Sequence, residues 1–199
     1  SDDKAAAADS TALAEVQVVT SGDVVYLDID FVMASSKIYQ AEGQPIEEKI
    51  QKFQEKMNTT QEGWAKKEQG LAAEYNKLQS DAAKLQEEYA KGLITTLNAQ
   101  QKQEELQKKG ESLQLRMNNF EATVQSETKT LQQEEMQLLE EQQVLLNRFQ
   151  ELVKQAIADI NGDKRYKMIL NAVQVIDADP SLNISTLVLA KVDELYAAQ

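Results

Sequence analysis

Two ladders of apolar residues, each with a step of seven, flank Gly92. Before it stand Ile50, Met57, Trp64, Leu71, Leu78 and Leu85; after it stand Met117, Val124, Leu131, Leu138, Leu145 and Leu152. A step of seven puts one side chain per two turns on a single seam of an α-helix. Nearly everything between the ladder positions is Gln, Glu, Lys or Ala. Two seams around a short break predict a long antiparallel helical hairpin. Such a hairpin buries little, so its use is to reach, grip or enclose something.

The breaks agree with this. From Ile46 to Lys91 there is no proline, which allows one helix of roughly 70 Å. Gly92 stops it, Leu93-Ile94-Thr95-Thr96 is the tip, and Thr95 or Thr96 caps the return helix, which ends near Asn161. A turn at Gly110 would leave very unequal arms. Ahead of the hairpin, Val24–Ile29 reads as a strand with little polar alternation, hence buried on both faces. Asp30 then caps a short helix containing Phe31, Val32, Ile38 and Tyr39, which Gly43 and Pro45 interrupt. After Gly162, Tyr166–Leu170 and Ala172–Asp177 read as two strands forming a hairpin near Asn171. Asp179-Pro180-Ser181 is a turn, and Ser185 or Thr186 caps a last helix with Leu187, Leu189, Val192 and Leu195.

The expected fold class is therefore mostly α with a small β body: a long helical hairpin carried on a short-stranded oligomerisation body. Residues 1–22, rich in Ala, Ser, Asp and Thr, are expected to be disordered. Residues 23–44 and 162–199 form the body, and 45–161 form the coiled-coil arm with its tip near 92–96. Three short strands and two short helices make too small a core to stand alone, so copies of the chain are expected to share it. The chain opens Ser1-Asp2-Asp3-Lys4. It is expected to begin after a removed segment, with residues 1–22 as a possible tether from a lost N-terminal lipid anchor to a membrane.

Composition narrows the chemistry. The chain has no Cys and no His, a formal charge of −12 and 42% hydrophobic residues. Thiol chemistry, the usual zinc sites and His-based acid–base pairs are absent from its repertoire. The charge argues against nucleic acid. No run of about 18 apolar residues is present to span a bilayer. Carboxylate pairs such as Glu87/Glu88 and Glu140/Glu141 lie on polar helix faces and read as solvated surface. Asp28, Asp30, Asp177 and Asp179 stand at strand ends and read as caps and turn residues rather than cation ligands. No phosphate loop or nucleophile motif is found, so the chain is read as a non-enzyme without catalytic, cofactor or metal residues. Residues 84–116 carry six basic against five acidic side chains, so the tip is electropositive relative to the rest.

Apolar residues off the main seam suggest the function. Leu139, Leu146, Val153 and Ile160 make a second seven-step stripe near the arm's base. Part of it would widen the hairpin core. Leu139, with Leu115, Met136 and the tip residues Leu93, Ile94 and Leu97, would face an enclosed space and hold an unfolded chain by sparse contacts. Gly63 and Gly70 sit inside a helix and are candidate soft points.

In order of elements the chain resembles the Skp/OmpH family of periplasmic chaperones. The resemblance is carried by Val24–Ile29, by Gly92-Leu93-Ile94-Thr95 and above all by Tyr166–Val192, with Val175-Ile176-Asp177-Ala178-Asp179-Pro180-Ser181-Leu182-Asn183-Ile184-Ser185. It implies a jellyfish-like homotrimer in the periplasm of a Gram-negative bacterium, with hairpins hanging as tentacles from a shared body. Val25, Leu27, Ile29, Ile169, Leu170, Val175 and Ile176 would belong to that trimerisation body. It implies an ATP-independent holdase for unfolded outer-membrane proteins, without cofactor. The alternative is a structural coiled-coil adaptor or spacer in the cell envelope. Well-known members are strongly basic; at −12 this chain departs from them, so contact with lipopolysaccharide is not carried over.

Overall fold

The computed structural model describes residues 23–199. The expectations of disorder and tethering for 1–22 lie outside the described residues. Strand β1 (Val24–Leu27) is followed by helix α1 (Ile29–Ser35), a π-helical turn (Tyr39–Gly43) and the long helices α2 (Gln44–Ala90) and α3 (Thr96–Ile160). Strand β2 (Met168–Asn171), two 3-10 turns and helix α4 (Ser185–Ala197) complete the chain. Its contacts divide into two units. A body unit takes residues up to Ile50 and from Leu138 onward; an arm unit takes Gln51–Gln137.

In the body unit β1 and β2 pair in parallel, with Val24 opposite Met168 and Leu27 opposite Asn171. Parallel partners cannot be joined by a tight turn; here all of α2 and α3 intervenes. Along β1, Val24 is exposed, Val25 buried, Tyr26 half-buried and Leu27 buried, so the strand alternates and the expected two-faced burial is corrected. Val25 and Leu27 point into a cluster with Val32, Ile38, Tyr166, Ile184, Val188 and Val192. Phe149, Leu152, Val153 and Ala156 on α3 pack into the same cluster. Burying each large side chain contributes about 1.5–3 kcal/mol, which makes this the main stabilising feature of the unit.

Three further expectations are corrected. Ala172–Asp177 is not a strand: Asn171 Oδ1 accepts the Val173 N–H, and this local bond turns Ala172–Gln174 into a 3-10 turn that ends β2. Asp28, not Asp30, caps α1 by accepting the Phe31 N–H at 3.0 Å. Neither Ser185 nor Thr186 caps α4, because α4 starts at Ser185 with Ile184 flanking it. The Ser185 hydroxyl accepts the Asp28 N–H at 2.9 Å and donates to Asn183 Oδ1, fastening the end of β1 to the start of α4.

Gly43 and Pro45 do not interrupt the helix as expected. The Gln44 N–H reaches Tyr39 O, five residues back, and the chain continues into α2 through one wide turn. Proline has no N–H to give to a preceding carbonyl, and the wide turn falls just before it. Gly43 is buried, and a Cβ there would lie 2.4 Å from the Tyr39 ring.

Candidate functional site

The arm unit is built from parts of α2 and α3 that touch along one thin seam. Phe53, Leu71, Leu113 and Leu131 are buried. Met57, Trp64, Leu78, Leu85, Leu106, Phe120 and Val124 are half-buried. The ladder predicted on α2 is thus in place. On α3 the ladder from Val124 onward is in place, but Met117 is exposed. Leu106, Leu113 and Phe120 extend the seam toward the tip. They also stand seven apart, out of phase with Met117.

Polar pairs cross the seam. Lys56 Nζ meets Glu134 at 2.7 Å, Trp64 Nε1 donates to Glu127 at 2.6 Å, Arg116 meets Glu74 at 2.6 Å and Lys102 meets Glu88 at 3.8 Å. In the body unit Lys49 meets Glu141 and Arg148 meets Glu42. As the residue number rises on α2, its partner's number falls on α3. Exposed pairs of this kind add little stability, so their effect is mainly on register. Arg116 holds the Glu74 carboxyl below its ordinary pKa by hydrogen bonding to it.

The tip follows from its backbone bonds. Gly92 has φ +68°, its N–H bonds Tyr89 O, and the Leu93 N–H bonds Glu88 O. This is a Schellman stop, which needs a left-handed residue where glycine stands. The apolar contact that often accompanies such a stop is missing, because Glu88 occupies its place, and Leu93 is left 73% exposed. Thr95 then starts α3: its Oγ1 accepts the Asn98 N–H at 3.2 Å.

The residues expected to hold a client lie at different depths. Leu93, Leu97, Leu115, Met136 and Leu139 are exposed, whereas Ile94 is half-buried. The stripe of Leu139, Leu146, Val153 and Ile160 divides: Val153 is in the body cluster, Ile160 packs on it, Leu146 is half-buried and Leu139 faces out. Tyr75, Tyr89 and Val144 are exposed too.

The body residues are also split. Val25 and Leu27 are buried within their own chain. Ile29, Ile169, Leu170 and Val175 are half-buried, and Ile176 is fully exposed. Beyond them Val24, Met168 and Val173 are exposed as well. β1 has neighbours on both sides, since Tyr26 bridges Asn183 and the Ile184 N–H bonds Tyr26 O. Among the described residues, the outer edge of β2 has no further strand in this sheet.

Asp179 has a lowered pKa because Ser181 donates to it, as expected of a turn cap. Tyr39 and Tyr196 have raised pKa values through hydrogen bonds to Glu47 and Glu42. Each shift has a local surface partner as its cause. Among the described residues no three acidic side chains converge to hold a metal ion, and no helix is long and apolar enough to cross a membrane.

Comparison with known proteins adds a family. Among solved structures, a crystal structure from Caulobacter crescentus CB15, of an OmpH-like protein described as a candidate outer membrane chaperone, is 19% identical. The match covers 87% of this chain and 85% of that one, with a TM-score of 0.44. No curated protein matches the sequence. The model of the family "Outer membrane protein (OmpH-like)" matches residues 23–192. With body strands, arm helices and most of α4 inside that match, the chain belongs to the OmpH-like family.

Proposed function

We propose that this protein is an ATP-independent holdase chaperone of the Gram-negative periplasm. It keeps unfolded outer-membrane proteins from aggregating while they travel. The observation that carries the reading is the surface of the two long helices: sparse apolar side chains, Leu97, Leu115, Met136 and Leu139, stand exposed on helices otherwise covered by Gln, Glu and Lys. Isolated apolar contacts on a wet wall hold a chain weakly and without sequence preference. A contiguous apolar patch would instead bind tightly or aggregate.

In this reading α2 and α3 form an antiparallel hairpin, supported by the opposite order of their cross-helix pairs. Three copies assemble through their bodies and surround the client with their arms. Self-association is supported by the open edge of β2 and the exposed Met168, Val173 and Ile176 beside it, since an unpaired edge and bare apolar side chains favour a further chain. Residues 23–44 and 162–199 serve as the trimerisation body, and 45–161 as the arm.

A light-scattering assay with a urea-unfolded β-barrel protein tests this. Stoichiometric trimer should abolish most of the turbidity without ATP. Unchanged turbidity, with capture of one folded partner instead, would favour an envelope adaptor or spacer.

A further inference from the structure

Within the arm unit a cavity of about 740 Å³ opens between residues 75–89 of α2 and 96–117 of α3. Small residues at the seam, Ala82, Ala99 and Gly110, leave the space. Its lining differs from the rest of the arm. Seventeen residues face it and not one is charged, in a chain that is 27% charged. Six of the seventeen are glutamines. Leucines such as Leu78, Leu85 and Leu106 make the floor, and the half-exposed Tyr75 and Tyr89 stand two heptads apart on its α2 side.

We propose that this cleft seats an uncharged, extended polypeptide segment, read through its backbone by the glutamine carboxamides. The proposal deepens the chaperone reading, on which it rests for the source of the segment. Charge matching is the first argument: a neutral lining offers nothing to phosphate, acidic sugar or ionic headgroups, and suits peptide groups and apolar side chains. Chemistry is the second. A stretched chain carries unpaired N–H and C=O groups, and a carboxamide both donates and accepts. Glutamines can therefore satisfy any sequence, while the leucine floor and tyrosine rings take side chains from alternate positions. Dimension is the third. The fourteen helical steps from Tyr75 to Tyr89 span about 21 Å, which matches about six residues of extended chain.

The test uses the full chain and two fluorescein-labelled, end-capped hexapeptides of alternating Thr and Val, one of them N-methylated along its backbone. Fluorescence anisotropy should show the N-methylated peptide binding about tenfold more weakly, since several backbone hydrogen bonds are lost. The double variant Gln86→Glu/Gln103→Glu keeps helix propensity and side-chain shape. It should weaken the parent peptide about fivefold, and Tyr89→Ala, at an exposed position, should also weaken it. Equal binding of the two peptides, or unchanged binding by the variants, overturns the proposal. Unchanged peptide binding with a smaller sedimenting species in the double variant also overturns it, by assigning the cleft to a second copy of the chain. Scattering assays separate the two readings. Glutamine-dependent binding without suppression of aggregation keeps the cleft and removes the holdase. Suppression without glutamine-dependent binding does the reverse.

Discussion

Twelve buried apolar residues form one cluster in the body unit, whereas the buried apolar residues of the arm unit, Phe53, Leu71, Leu113 and Leu131, are strung out along a line. The same two helices supply both units. The difference lies in dimensionality. In the body α3 meets strands and two other helices, so each side chain is enclosed from several directions. In the arm a residue on α2 has one partner helix, and its other flanks meet water. A body residue is thus coupled to many others, and an arm residue to its few neighbours along the seam.

Truncation should expose that contrast most strongly. Leu152→Ala in the body cluster is expected to cost about 3 kcal/mol in urea unfolding, and Leu78→Ala on the half-buried seam about 1 kcal/mol. Equal losses would break the distinction. Next comes Asn161, whose buried side chain accepts the Tyr166 N–H at 2.9 Å and donates to Tyr166 O. Asn161→Ala should cost about 2 kcal/mol in the same measurement, because both main-chain groups of Tyr166 lose their partner.

Glycines sharpen the comparison inside the arm. Gly70→Ala meets open space within a helix and should stabilise by about 1 kcal/mol. Gly92→Ala, at φ +68°, should destabilise by about 1 kcal/mol and fray the tip. Thermal melts of both variants should move in opposite directions; a common direction would refute the assigned turn geometry. The smallest effect concerns pH. Arg116 lowers the Glu74 pKa in the fold, so their pairing contributes above the unfolded carboxyl's pKa and is lost as pH falls through the depressed folded value. A carbon-detected NMR titration should place Glu74 below the ordinary carboxyl value, and Arg116→Gln should raise it.

Legibility in the sequence follows the same division. Both long helices, Gly92 as stop and Thr95 as cap could be read from spacing and turn chemistry, because one-dimensional elements leave one-dimensional signals. The small body was harder. Ala172–Asp177 has strand composition, yet one Asn171 side-chain bond decides for a turn. Whether Asp28 or Asp30 caps α1 depends on the exact residue at which the helix begins, and what Ser185 does depends on which backbone group lies opposite across the fold. The exposed Leu97, Leu115, Met136 and Leu139 were visible as breaks in the heptad pattern. The neutral cleft was not, because it takes two helices to show that their uncharged residues face each other.

The wide turn at Tyr39–Gly43 also acts as a phase shifter. One surplus residue rotates everything after it by about 100° relative to an unbroken helix. Ile38 upstream can therefore aim at the body cluster, while Ile46 and Ile50 downstream are half-buried outside it. Removing one residue there would not merely shorten the chain; it would set the two stretches beating in unison, and only one of them could then keep its target.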